Sequence, residues 1–266
     1  MLRIIKEPIL LIHKHRKIIR AVYTSDLRSR YAAGNKLGWI WLILYPLLFL
    51  GVYSLLWLGL STTLDRVANV EYILLIIGGF IAWMGISEII AFGIATIHAN
   101  VGILKNTVFP IEILSVRQNL VAITQVTVSY ILLLLVYTAR GQASITWLQL
   151  PLLLIIHFFG CVGLTWILAV IGAFYRDLLQ IINIILMMLL MITPIAYLEE
   201  MVSGPLVTIN KYNIFTYMLR AYRIVICNNN WVTLKLYVFL ILGTLILFYL
   251  GYYLFSRIKP LFSDLV

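Results

Sequence analysis

Five aromatic residues, Trp41, Tyr45, Phe49, Tyr53 and Trp57, recur at every fourth position of one apolar stretch. At about 100° per helical residue each step leaves a residual turn of about 40°, so the rings trace a slow spiral over about 24 Å. Aromatic faces are electron-rich and apolar. They suit the C–H faces of sugar rings and hold them loosely enough to slide. Trp and Tyr ordinarily gather at the two edges of a membrane, whereas this series runs through the middle. The competing reading is that the rings pack against neighbouring helices.

Four arginines, Arg28, Arg30, Arg220 and Arg223, are candidates for contact with phosphate or an anionic sugar, because the planar guanidinium fork matches such oxygens. The alternative is that they mark membrane edges. Glu88 is the one acid well inside an apolar run, where ionisable groups face the bundle interior or water; it reads as a hydrogen-bonded glutamate, with proton coupling as the rival. No Gly-rich phosphate loop ending in Lys-Ser/Thr occurs, and no Gly-x-Gly-x-x-Gly. His13 and His15 diverge on a basic helix, and His98 and His157 stand alone, so no metal site is expected. Cys161 and Cys227 make no disulfide framework. No Ser-His-Asp set or carboxylate pair shares a plausible site. An enzyme is therefore not expected, and any ATP-driven work needs a separate ATPase chain.

The elements that must position these residues follow from composition. Of 266 residues 63% are hydrophobic and 11% charged, and the mean hydropathy is +1.02. Soluble chains carry about 25% charged residues, so the solvent here is largely lipid. The apolar runs are continuous rather than alternating, which favours helices over a barrel. Six spans are expected, at about 39–60, 72–95, 119–138, 147–174, 178–197 and 232–255. Fourteen of the 20 Lys and Arg residues fall on one side of this arrangement. By the positive-inside rule that side is the cytoplasm, and an even span count places both termini there. The net charge of +10 is spread beside the apolar runs, which argues against nucleic acid as a partner.

Residues 8–23 alternate Ile9, Ile12, Ile19 and Val22 with Lys14, Arg16, Lys17 and Arg20. This predicts a basic amphipathic helix in the membrane interface, or one docked on a partner. Residues 1–36 form this segment and 37–266 the transmembrane domain. Within it, the 96–118 connection is helix-capable and stopped by Pro110, and it could dock in a groove on a soluble partner. The 198–231 connection is too apolar for a free loop and too broken to span. A re-entrant pair of short helices near a pathway fits it best.

Several blocks, in order and against these spans, resemble the membrane subunit of polysaccharide-exporting ABC transporters of the ABC-2 type. They are Asp26-Leu27-Arg28-Ser29-Arg30-Tyr31, then Leu37-Gly38-Trp39-Ile40-Trp41 with Tyr45-Pro46-Leu47. Asn100 through Leu114 follows, containing Phe109-Pro110-x-Glu112-Ile113-Leu114. Phe174-Tyr175-Arg176-Asp177-Leu178, Thr193-Pro194-Ile195-Ala196-Tyr197 and Asn213-x-Phe215 through Arg223 complete the series. The chain departs from the family pattern at Asn35, where Ser is frequent, and at Ser115 and Ile214, where Pro is frequent. The resemblance implies an all-α integral membrane permease in the inner membrane that works as a homodimer with two ABC ATPase subunits. ATP and Mg would be bound by those partners, with no cofactor in this chain. It further implies export of a lipid-linked polysaccharide: O-antigen, as in lipopolysaccharide biosynthesis, or capsule or teichoic acid. Asn100, Leu104, Lys105, Phe109, Pro110 and Glu112 would couple to the ATPase. Pro194, Tyr197, Asn213, Phe215 and Tyr222 would form the exit gate, with the aromatic spiral lining the glycan channel. A permease for drugs or small lipids, and a membrane-embedded glycosyl- or acyltransferase, are the rival functions.

Overall fold

The computed structural model describes residues 2–32, 38–61, 70–102, 110–195 and 197–262; for 2–6, 32, 45, 49, 50, 53, 54 and 56–61 it describes the backbone alone. Every regular element among the described residues is helical. Long apolar runs can satisfy their backbone N–H and C=O groups in lipid only within a helix or a closed barrel, and these runs lack the period-two pattern of a barrel.

The basic N-terminal segment folds as two helices rather than the single one expected, α1 (Leu2–Lys14) and α2 (Arg16–Leu27). The break falls at His15, whose ψ of 15° leaves the α region. Of the expected apolar face, Ile19 is buried, Ile12 and Val22 are half-buried and Ile9 is exposed; Arg16, Lys17 and Arg20 are exposed. α2 then widens into a π-helical turn, Arg28–Ala32.

Among the described residues, four helices are long and apolar enough to cross a membrane. They are α4 (Val70–Ala99), α5 (Glu112–Ala139), α6 (Leu150–Phe174, entered through a 3-10 turn at Ile145–Gln149) and α10 (Leu234–Ile258, extended by the 3-10 turn Lys259–Leu261). α3 (Ile40–Ser61) has 22 residues. The fifth expected span is shorter than its apolar run: α7 covers only Leu178–Ile192, 15 residues, or about 22 Å against the roughly 30 Å hydrocarbon core. Pro194 is the reason. The residue before a proline is pushed out of the α region, and Thr193 is extended at ψ 137°. The 198–231 stretch holds α8 (Pro205–Tyr212) and α9 (Ile214–Ile226), the two short helices expected there, joined through Asn213 alone.

α4 is the most enclosed helix, packed by α5, α6, α7 and α9, with Ile76, Ile77, Trp83 and Ile86 buried. α6 lies along α10 at backbone contact. A β-carbon on Gly163 would strike the backbone of Leu247 and Phe248, and one on Gly251 the carbonyl of Gly163. Close approach through small residues is how helices gain dispersion energy in lipid, where the hydrophobic effect gives no drive. A second apolar cluster joins Ile19 of α2 to Ile113, Trp166, Tyr252, Phe255 and Phe262. The N-terminal helices and the C-terminal turn therefore meet at one end of the bundle, termed here the basic end. α3 and α7 leave large apolar side chains uncovered, among them Leu55, Ile184, Met187 and Met191.

Candidate functional site

The π-helical turn at the end of α2 sets two consecutive side chains into the bundle. π-turns inside helices concentrate at functional sites. Here Arg30 pairs with Glu88 of α4, and the Tyr31 hydroxyl donates to Gln125 Oε1 of α5. The Arg30 guanidinium also lies 5.7 Å from the Tyr31 ring centre and 5.9 Å from that of Phe92. Tyr31 in turn stacks on Trp39, centroids 6.3 Å apart.

Arg30, Tyr31, Glu88 and Gln125 line a cleft of about 740 Å³ between the π-turn, α3, α4, α5 and α7. Its polar end carries Arg30, Ser87, Glu88 and Gln125; Tyr31, Trp41, Phe80 and Trp83 supply aromatic surface; Leu186, Met187 and Leu190 of α7 close the apolar side. Aromatic faces beside a few convergent hydrogen-bonding groups make a surface for a molecule with both C–H faces and hydroxyls. With Glu88 17% and Arg30 39% exposed, the pair is reached by solvent. Glu88, read from the sequence as a hydrogen-bonded glutamate, is held by a cation. Arg30 and Glu88 also line a second cavity of about 250 Å³ with Asp26, Ser29, Arg117 and Gln118. The pair is thus the partition between the aromatic cleft and a charged cavity towards the basic end.

α2 is tied down beside this partition by Asp26, 2.9 Å from Arg117 Nε, and by Tyr23, whose hydroxyl lies 2.7 Å from Thr124 Oγ1. Burial raises the Asp26 carboxyl above its ordinary value, and Arg117 offsets this only in part.

The opposite end is organised by polar side chains on short elements. Asn213 accepts from the Phe215 amide at 3.0 Å, capping α9. It donates to Thr193 Oγ1 at 2.9 Å, which ties the cap to the end of α7. Ile214 occupies the first helical position, and the Asn213 cap sets the turn before it. Tyr197 donates to the Ile192 carbonyl, and Asn210 donates to Tyr197 at 3.4 Å. Arg223 donates to three backbone carbonyls, Leu75 at 3.2 Å, Pro194 at 2.7 Å and Ile195 at 2.6 Å.

A family model for the ABC-2 type transporter matches residues 19–227, from within α2 through the end of α9. The chain belongs to the ABC-2 type transporter family. Members of that family are membrane components of transporters rather than catalysts, and they normally work with an ABC ATPase. This ABC-2 chain is 26% identical over 255 residues to an O-antigen export system permease protein RfbA of Klebsiella pneumoniae, covering 94% of this chain and 95% of that protein. It is also 26% identical over 199 residues to a protein of the same name from Myxococcus xanthus, covering 74% and 73%.

The residues expected from the sequence separate into distinct environments in this ABC-2 chain. Of the aromatic series, Trp41 lines the cleft at 37% exposure; the side chains of Tyr45, Phe49, Tyr53 and Trp57 lie outside the described residues. Of the coupling set, Leu104, Lys105 and Phe109 lie outside them. Asn100 is buried, donating to the Thr96 carbonyl at 2.8 Å, and Pro110 is half-buried. Glu112 is 4% exposed and faces Lys259. Among the gate residues, Pro194, Tyr197, Asn213 and Phe215 come together around the α7–α9 junction, Phe215 meeting Trp83 edge-on at 6.0 Å. Tyr222 instead is fully buried, stacked on Tyr130 at 4.6 Å and 3.2 Å from His157 Nδ1. Among the four arginines, Arg28 is exposed and Arg30 faces the cleft. Arg220 is paired with Glu199 and Arg223 is engaged by backbone carbonyls. The sequence pattern did not mark Trp83, Gln125 or Tyr31 as cleft residues. The signal within it was polarity, since Gln125 and Glu88 are rare side-chain types inside apolar runs.

Proposed function

We propose that this chain is the membrane-spanning subunit of an ATP-driven exporter that moves a lipid-linked polysaccharide outward across the cytoplasmic membrane. O-antigen is the leading substrate, with capsule or teichoic acid next. Two copies form the channel, crossing the membrane six times each, and two ABC ATPase subunits bind and hydrolyse ATP with Mg. The basic end, with both termini, faces the cytoplasm in this reading. α8 and α9 dip into the outer leaflet as a re-entrant pair, and the α7–α9 junction gates the exit.

One observation carries the proposal: a cleft with four aromatic residues on its walls and an ion pair at its polar end, placed among membrane helices. Sugar rings present apolar C–H faces and polar edges, and the cleft offers a counterpart to each. The relatives named as O-antigen export permeases support the substrate class. In this reading Arg30, which lines the cleft in its pair with Glu88, meets the phosphate or acidic sugar of such a substrate. The uncovered apolar faces of α3 and α7 suit contact with lipid and a second copy.

The test is polysaccharide at the cell surface when this chain is the sole permease. Trp41→Leu should leave the amount of permease and its ATPase association unchanged, lower surface polysaccharide several-fold, and cause lipid-linked polysaccharide to accumulate inside. Normal surface polysaccharide in that variant would remove the cleft from the glycan path. A wild-type chain that moves small lipids or drugs but no polysaccharide would overturn the function itself.

A further inference from the structure

Glu112 closes the 98–112 segment and opens α5, with its carboxylate turned into the bundle. It is 4% exposed and accepts two hydrogen bonds from Lys259 Nζ, at 2.8 and 3.0 Å. Its backbone carbonyl accepts from Trp166 Nε1 of α6 at 3.3 Å. Lys259 starts the 3-10 turn that ends α10, and three residues later Phe262 is fully buried against Phe255, centroids 5.2 Å apart. The surroundings are apolar: Ile113, Trp166, Tyr252 and Phe255 belong to one buried cluster. Water screens such a pair poorly, and removing one partner strands the other as a buried charge. The position is also favourable for an anion, because the first turn of a helix carries partial positive charge.

The geometry points to a positioning clamp: Glu112 and Lys259 join the base of the 98–112 segment to the last membrane helix, so that a displacement of the segment moves α10. α10 lies on α6 at backbone contact around Gly163, and α6 packs on α4, which lines the aromatic cleft. A rigid route therefore runs from the segment to the cleft. Glu112 acts in coupling through Lys259, not by touching the ATPase. This rests on the proposed function, in which residues 98–112 face the ATPase.

The experiment uses the full permease–ATPase complex and reads polysaccharide exported per ATP hydrolysed. Exchanging both charges for neutral groups, Glu112→Gln with Lys259→Met, leaves no stranded charge and preserves the fold. It should keep ATPase association and hydrolysis at wild-type levels while export per ATP falls about tenfold, within the 5- to 150-fold span of typical coupling energies. Lys259→Arg keeps the cation and should export like wild type; Lys259→Gln strands the buried Glu112 carboxylate and should lower both the export ratio and the unfolding midpoint. A wild-type export ratio in the double variant or in Lys259→Gln overturns the clamp. So does loss of ATPase association in Glu112→Gln alone, which would mean direct contact. Failure of the underlying reading looks different: the wild-type chain itself would then bind no ATPase or move no polysaccharide.

Discussion

Arg223 and Gly79 share one space: a β-carbon on Gly79 would sit 2.8 Å from both Nε and Nη2 of the Arg223 guanidinium. The absence of a side chain on α4 lets a buried arginine from α9 reach the carbonyls of Pro194 and Ile195 past the end of α7, and that of Leu75 on α4 itself. Three chain segments are held by one planar group. Gly79→Ala should push the guanidinium off its acceptors and lower stability by about 1–3 kcal/mol, the usual range for overpacking. Arg223→Lys should be worse, since one ammonium cannot reproduce a planar fork and buried carbonyls are left unpaired. Thermal unfolding in detergent measures both, and an unchanged midpoint for Gly79→Ala would refute the shared space.

Asn213 joins α7 to α9 with its two ends. Asn213→Ala removes the helix cap, worth about 1 kcal/mol, together with the bond to Thr193. Asn213→Asp retains the acceptor for the Phe215 amide but has no amide to donate to Thr193, so its loss should be smaller. If the two variants unfold together, the cap contributes nothing and the bond to Thr193 carries the junction.

Asp26 provides a pH dependence with a definite sign. Its folded carboxyl is raised above the ordinary value by burial, so the folded state holds the proton more tightly than the unfolded state does. Between the ordinary and the raised value, stability therefore falls as pH rises. Asp26→Asn should remove that slope from about pH 4 upward. Unfolding midpoints of wild type and variant across this window give the comparison; parallel curves would contradict the assignment.

Gly163 sets the distance between α6 and α10. Gly163→Ala must separate two backbones rather than two side chains, and its loss should reach or exceed about 3 kcal/mol, the upper part of the overpacking range. Reduced yield of folded protein in detergent, with a lowered midpoint in what remains, is the expected result. A variant as stable as wild type would show that the crossing relaxes freely.

The long helices and the short pair in 198–231 were legible because each depends on neighbours in sequence; the stop before Pro194 is equally local, yet the expected 178–197 span ran through it. A helix closes its hydrogen bonds four residues apart, and lipid forbids leaving them open. A proline acts on the residue before it, and Asn213 caps the amide two residues on. The amphipathic N-terminus was legible for the same reason, although its break at His15 was not. What those helices do to one another was hidden. α4, α5 and α6 are apolar nearly all round, so no polar stripe declares which face meets which neighbour. The partners of Glu88, Glu112 and Arg223 lie 58, 147 and up to 148 residues away in the chain. The sequence alone determined that this is a helical membrane protein with a basic end and an aromatic first long helix. The tertiary structure decided that Glu112 faces Lys259 and that Arg30 and Tyr31 enter a cleft. Lateral packing of featureless apolar surfaces is settled by shape, by where a glycine admits a neighbour and where a buried charge finds its partner.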